Sequence, residues 1–109
     1  MARPGRGLRR AARTDANHKE VADAFRKLGC SFLSLAALGN GAPDAAIGYG
    51  GLTVLVEIKD GAKPKSAQKL TPDQKVFWDS WKGGVRLVND MNAVAETVQL
   101  LKAWRLRLC

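Results

Sequence analysis

Asp44, Glu57 and Lys59 bracket a stretch of sequence suited to a hairpin. The run Leu52-Thr53-Val54-Leu55-Val56-Glu57-Ile58-Lys59 is rich in β-branched residues, follows two glycines, and reads as a strand. Strand side chains alternate, so Leu52, Val54, Val56 and Ile58 share one face, and Thr53, Leu55, Glu57 and Lys59 share the other. A carboxylate and an ammonium on an otherwise apolar strand are costly unless they are paired or used. Gly50-Gly51 is a hairpin signal. If Tyr49 faces Leu52 across it, Ile47 faces Val54 and Ala45 faces Val56 on an apolar side. On the opposite side Gly48 meets Thr53, Ala46 meets Leu55, and Asp44 meets Glu57. Directly opposed residues lie about 4.5–5.5 Å apart, and like charges there repel. A divalent cation between the two carboxylates removes that cost. Hard cations such as Mg²⁺ take oxygens from one or two carboxylates, with waters and substrate phosphate completing the shell.

The elements that must position these groups follow from periodicity and caps. Thr14 or Asp15 can cap a first helix over roughly 16 to 28, with Val21, Phe25 and Leu28 at helical spacing and Gly29 as its stop. Glu20 sits beside that apolar stripe and overlooks whatever the helix packs on. Cys30 to Leu38 reads as a first strand, Gly39-Asn40-Gly41 as a break, and Pro43 to Tyr49 as a second strand. Asp60 to Leu70 carries Lys63, Lys65 and Lys69 around Pro64 and reads as a basic loop. Thr71-Pro72-Asp73-Gln74 announces a helix, with Thr71 at the cap, Pro72 at the first position and Gln74 closing a capping box. That helix should reach about Lys82 and stop at Gly83-Gly84. Val85 to Val88 is a short strand. Asn89 or Asp90 caps a last helix, with Met91, Val94, Val98 and Leu101 on one face. The expected order is helix, three strands, helix, strand, helix: an α/β chain with a mixed central sheet flanked by helices.

Composition sets the class. The 109 residues suit a single domain, expected over 14–109 behind a basic arm at 1–13. A hydrophobic fraction of 46% excludes a wholly disordered chain. No apolar run approaches the ~20 residues of a membrane span, and the Arg-rich start is not followed by the apolar stretch of a secretory signal. Two cysteines, Cys30 and Cys109, make neither a disulfide framework nor a zinc quartet. A cytoplasmic, reduced setting is expected. The net charge of +8 favours a polyanionic partner, most often nucleic acid. Arg9, Arg10 and Arg13 of the arm, and Lys63, Lys65 and Lys69 of the loop, are the candidate phosphate contacts; solvated arginines and lysines are the ordinary alternative.

Pro43-Asp44 followed by Glu57-Ile58-Lys59 at the end of a hydrophobic strand resembles the PD-(D/E)XK nuclease superfamily. Gly41-Ala42-Pro43-Asp44, Val56-Glu57-Ile58-Lys59 and Leu70-Thr71-Pro72-Asp73-Gln74 are similar to its VRR-NUC branch, especially the small stand-alone viral and bacterial members. The similarity spans roughly Asp15 to Val98. It implies a restriction-endonuclease-like core and a metal-dependent endonuclease that hydrolyses DNA phosphodiesters and leaves a 5′-phosphate. It implies Asp44, Glu57 and the Ile58 carbonyl as ligands to Mg²⁺, with Mn²⁺ able to substitute. Lys59 would orient the attacking water and stabilise charge on the phosphate, Glu20 would be an outer acid, and Gln74 would project into the same site. Small relatives resemble Holliday-junction resolvases, which work as dimers, so branched DNA and a homodimer are expected. A nonspecific or restriction-like nuclease, and a basic DNA-binding module without catalysis, are the rival readings.

Singly, these residues have plainer roles. Asp44 suits a turn after Pro43, Glu57 and Lys59 a surface ion pair, and Glu20 a solvated helix position. The capping box alone accounts for Gln74, which can serve the site as well only if its side chain turns. His18 fits packing, and Cys30 a small buried residue. Trp78, Trp81 and Trp104 suit either stacking on bases or packing of helices.

Overall fold

The structure, a computed structural model, describes residues 17–108. The basic arm with Arg9, Arg10 and Arg13, and the candidate caps Thr14 and Asp15, lie outside the described residues. The chain is α/β. Helix α1 (His18–Lys27) is followed by β1 (Ser31–Ser34), β2 (Ala45–Tyr49) and β3 (Leu52–Ile58). Then come α2 (Pro72–Ser80), β4 (Val85–Val88) and α3 (Met91–Leu108). One mixed sheet runs in the order β1-β2-β3-β4, with β1, β2 and β3 antiparallel and β4 parallel to β3.

The β2–β3 register is the one the Gly50-Gly51 turn demands, with Tyr49 on Leu52, Ile47 on Val54 and Ala45 on Val56. Gly50 and Gly51 both have positive φ, 56° and 86°, the backbone twist of a tight two-residue hairpin loop. The first two strands are shorter than the sequence suggests. β1 ends at Ser34, after which Leu35 donates to the Asp44 carbonyl at 2.7 Å and a 3₁₀ turn takes Ala36–Leu38. β2 begins at Ala45, because Pro43 has no N–H to give a ladder and the Asp44 side chain is used elsewhere.

Helix α1 starts two residues later than expected and stops where glycine allows it. Gly29 takes φ 89°, Cys30 N–H reaches back to the Phe25 carbonyl at 3.0 Å, and Gly29 N–H to that of Arg26 at 3.0 Å. Helix α2 ends at Ser80, short of Lys82, and α3 is capped by Asp90, which accepts from Ala93 N–H at 2.8 Å.

The core occupies one face of the sheet. Val21 and Phe25 of α1 and Val94, Val98 and Leu101 of α3 pack on Ile47, Val54, Val56, Ile58 and Val88. Met91, expected on the apolar face of α3, is exposed in the first turn of the helix, and burial begins at Val94. A polar pair sits in this layer, with Thr97 buried and Arg86 half-buried. Arg86 Nε donates to Thr97 Oγ1 at 3.1 Å, and the same hydroxyl donates to the Ala93 carbonyl at 2.8 Å. Thr97→Val keeps the shape but leaves Arg86 Nε–H without that partner. It is expected to cost about 1–3 kcal/mol in chemical denaturation, with Thr97→Ser recovering most of that loss. Among the described residues no helix is long and apolar enough to cross a membrane.

Candidate active site

The second face of the sheet carries the charged groups. Glu57 and Lys59 project from the C-terminal end of β3 and are 2% and 8% exposed. Burial at that level is unusual for charged side chains, which leave water only when held by partners. Their common partner is Gln74, on the first turn of α2. Its Nε2 donates to Glu57 Oε2 at 3.0 Å, and its Oε1 accepts from Lys59 Nζ at 2.9 Å. The amide orientation has one consistent solution, since a carboxylate can only accept and an ammonium can only donate.

The capping box is also complete. Thr71 Oγ1 accepts from Gln74 N–H at 3.3 Å, and Gln74 Oε1 accepts from Thr71 N–H at 2.9 Å. The expectation that Gln74 must turn to serve both needs is therefore corrected. A carbonyl oxygen has two lone pairs, and here one takes the cap N–H while the other takes the Lys59 ammonium. The same side chain closes the helix and joins the acid to the base of β3.

Asp44 approaches from the loop before β2. Its Oδ2 accepts from Ile58 N–H at 2.7 Å, standing in for the carbonyl that a longer β2 would have offered. The carboxylate is thereby held at the residue between Glu57 and Lys59. Asn17, a residue the sequence did not single out, anchors the other side, since its Nδ2 donates to the Lys59 carbonyl at 3.0 Å. It stands at the N-cap position of α1 without making a cap bond, so cap preference could not have shown its role. Lys59 N–H also donates to the Val88 carbonyl at 3.0 Å, which ties the strand end to β4.

The loop and the helix are seated on each other at Gly41. With φ 81°, Gly41 lies so close to Asp73 that a Cβ there would collide with the Asp73 backbone carbonyl. Gly41→Ala adds that collision to an unfavourable left-handed backbone. The expected cost is about 1–3 kcal/mol, read as a fall in Tm, with α2 displaced from Glu57 and Lys59.

The remaining expected residues are distributed unevenly. Glu20 is exposed on the first turn of α1 and makes no hydrogen bond or ion pair among the described residues, so the structure does not join it to Asp44 or Glu57. Lys63, Lys65 and Lys69 are exposed in the β3–α2 connection. A cleft of about 440 Å³, lined by Asn17, Asp60, Lys65, Gln68 and Asn89 among others, adjoins the strand end but holds none of the Asp44, Glu57 or Lys59 side chains.

His18 packs edge-on against Phe32 with ring centroids 5.5 Å apart. Trp104 packs on the core and Trp78 is half-buried, while Trp81 is 43% exposed. Cys30 is buried, and that burial pushes its thiol pKa up against a weaker opposing pull from Lys102. The thiol is neutral and unreactive at pH 7.

Among the described residues, no three His, Cys, Asp or Glu side chains cluster as a self-sufficient metal site. The donors at the end of β3 are two carboxylates and a backbone carbonyl. That set suits a hard divalent cation, which fills most of its shell with water and substrate oxygens. No protein-family model matches the chain, and no curated protein or solved structure is significantly similar to it.

Proposed function

We propose that this chain is a divalent-metal-dependent DNA endonuclease of the PD-(D/E)XK kind, with a restriction-endonuclease-like core and closest in pattern to the VRR-NUC branch. One observation carries the reading. A nearly buried Glu57 and Lys59 are joined through one amide, with the Asp44 carboxylate fixed on the backbone of the residue between them. These bonds also tie α2 and the loop before β2 to the end of β3, but a buried carboxylate and ammonium are an expensive way to make such a tie, which favours a chemical use.

In this reading Asp44, Glu57 and the Ile58 carbonyl hold Mg²⁺ or Mn²⁺. The bound ion would lower the pKa of a coordinated water and neutralise phosphate oxygens. The chain's own groups do the rest. Lys59 places an ammonium beside the phosphate as negative charge develops, and Gln74 Oε1 fixes the position of that ammonium. Water adds to phosphorus, the bond to the 3′-oxygen breaks, and the products are a 3′-hydroxyl and a 5′-phosphate. The net charge of +8 and the exposed Lys63, Lys65 and Lys69 supply the attraction for the DNA backbone.

DNA shape, not base sequence, is the proposed determinant of recognition. Branched DNA is the proposed substrate, and a homodimer is the proposed form, since paired sites match the symmetry of a junction. Equal-length four-way, flap and linear duplex DNAs compared in Mg²⁺ test this. Preferential cutting of the branched forms is expected. Equal cutting of linear duplex removes the branch selectivity, and no cutting of any substrate removes the nuclease.

A further inference from the structure

Helix α2 carries Val76, Phe77 and Trp78 and is followed directly by Trp81, yet none of its residues is buried. Gln74, Phe77, Trp78 and Trp81 recur at the spacing of one helix face, so a single stripe runs from the candidate active site to the far end of the helix. At that end Phe77 and Trp81 stack, with centroids 5.2 Å apart and planes 19° from parallel. Trp81 remains 43% exposed. Lys82 follows it, exposed, and the exposed Lys63, Lys65 and Lys69 precede the helix.

We propose that the Phe77–Trp81 stack is a platform for an unpaired nucleobase of the DNA whose backbone is held at Glu57 and Lys59. The inference rests on the DNA-binding part of the function proposed above and is independent of catalysis. The size of the feature selects the occupant. Two aromatic side chains offer a few hundred Å² at most, well below the ~800 Å² per partner of a stable protein interface, but ample for one base. Bases of any identity stack on such rings, and the lysines on either side of α2 complement the phosphates that connect them. The spacing is also suitable. Trp81 follows the last residue of α2, so the seven positions from Gln74 to Trp81 span about 10 Å along the helix axis, which is about three stacked nucleotides and fewer for an extended strand. The platform would therefore favour DNA that presents unpaired bases within a few nucleotides of the scissile phosphate.

The test is the affinity of the full chain, in EDTA so that nothing is cut, for a blunt duplex and for the same duplex bearing a single-stranded tail. Trp81→Ala is expected to weaken binding of the tailed DNA about fivefold to a hundredfold while changing blunt-duplex binding less than twofold. Trp81→Phe should recover most of that loss. Equal losses on both DNAs, or wild-type affinity for both, would overturn the platform while leaving the nuclease reading intact. An altered sedimentation coefficient for free Trp81→Ala would assign the stack to a protein contact and overturn it as well. If the wild-type chain binds neither DNA, the platform and the reading it rests on fall together.

Discussion

Glu57→Gln should reduce Mg²⁺-dependent DNA cleavage by about 10³-fold or to background. The carboxylate is one of the two proposed side-chain ligands at the end of β3, and the charge stabilisation supplied by a bound cation is worth several kcal/mol at the transition state. The variant keeps an oxygen for Gln74 Nε2, so the fold should persist. A neutral amide replaces a carboxylate that is 2% exposed, which lowers the desolvation cost but also removes a negative charge near the Lys59 ammonium, so Tm should change by only a few degrees. DNA affinity without metal should stay the same or tighten, because a negative charge facing phosphate has been removed. Cleavage, thermal unfolding and binding in EDTA together separate this outcome from simple unfolding, in which all three would fall.

Lys59→Met should lower the rate of the chemical step by about 10²–10³-fold with little change in KM. Methionine follows the unbranched lysine stem to its fourth side-chain atom and suits a site that is 8% exposed, so packing is largely retained while the ammonium is lost. Gln74 keeps its bond to Thr71 N–H, so α2 should stay capped. A nearly buried ammonium contributes little to backbone attraction, and the salt dependence of DNA binding should therefore move less than it does on replacing Lys63, Lys65 or Lys69. Lys59→Arg should not restore the rate, since a planar guanidinium cannot occupy the place of a compact ammonium on the Gln74 oxygen. Single-turnover kinetics at saturating enzyme read this effect directly.

Local signals in the sequence were strong where the structure depends on short-range geometry. Two glycines between β-branched runs determine a hairpin register, and that register carries Asp44 toward the strand end occupied by Glu57. Thr71, Pro72 and Gln74 spell out a helix start because caps involve neighbours in sequence. Contacts made across the fold could not be read in this way. Asn17 holds the Lys59 carbonyl from 42 residues away, and Gly41 seats the Asp44 loop on Asp73. Asn17 has no periodicity or motif to announce it, and the motif that includes Gly41 does not reveal its contact with Asp73. Glu20 differs from both: its position beside the apolar stripe of α1 suggests a view of the site, and the structure shows it exposed on the first turn with no bond to the other candidate residues. The dual use of Gln74 lay between these extremes. Both roles could be named from the sequence, but their compatibility depended on which lone pair faces which donor.

The most direct test is Mn²⁺ binding to the wild-type chain, Asp44→Asn and Glu57→Gln, followed by electron paramagnetic resonance in the absence of DNA and repeated with uncleavable DNA. Saturable Mn²⁺ uptake by the wild-type chain, strengthened by DNA and lost in both variants, is the expected result. Uptake that is absent from the wild-type chain even with DNA, or equal in all three proteins, would mean that Asp44 and Glu57 do not share a cation, and the catalytic account would be wrong.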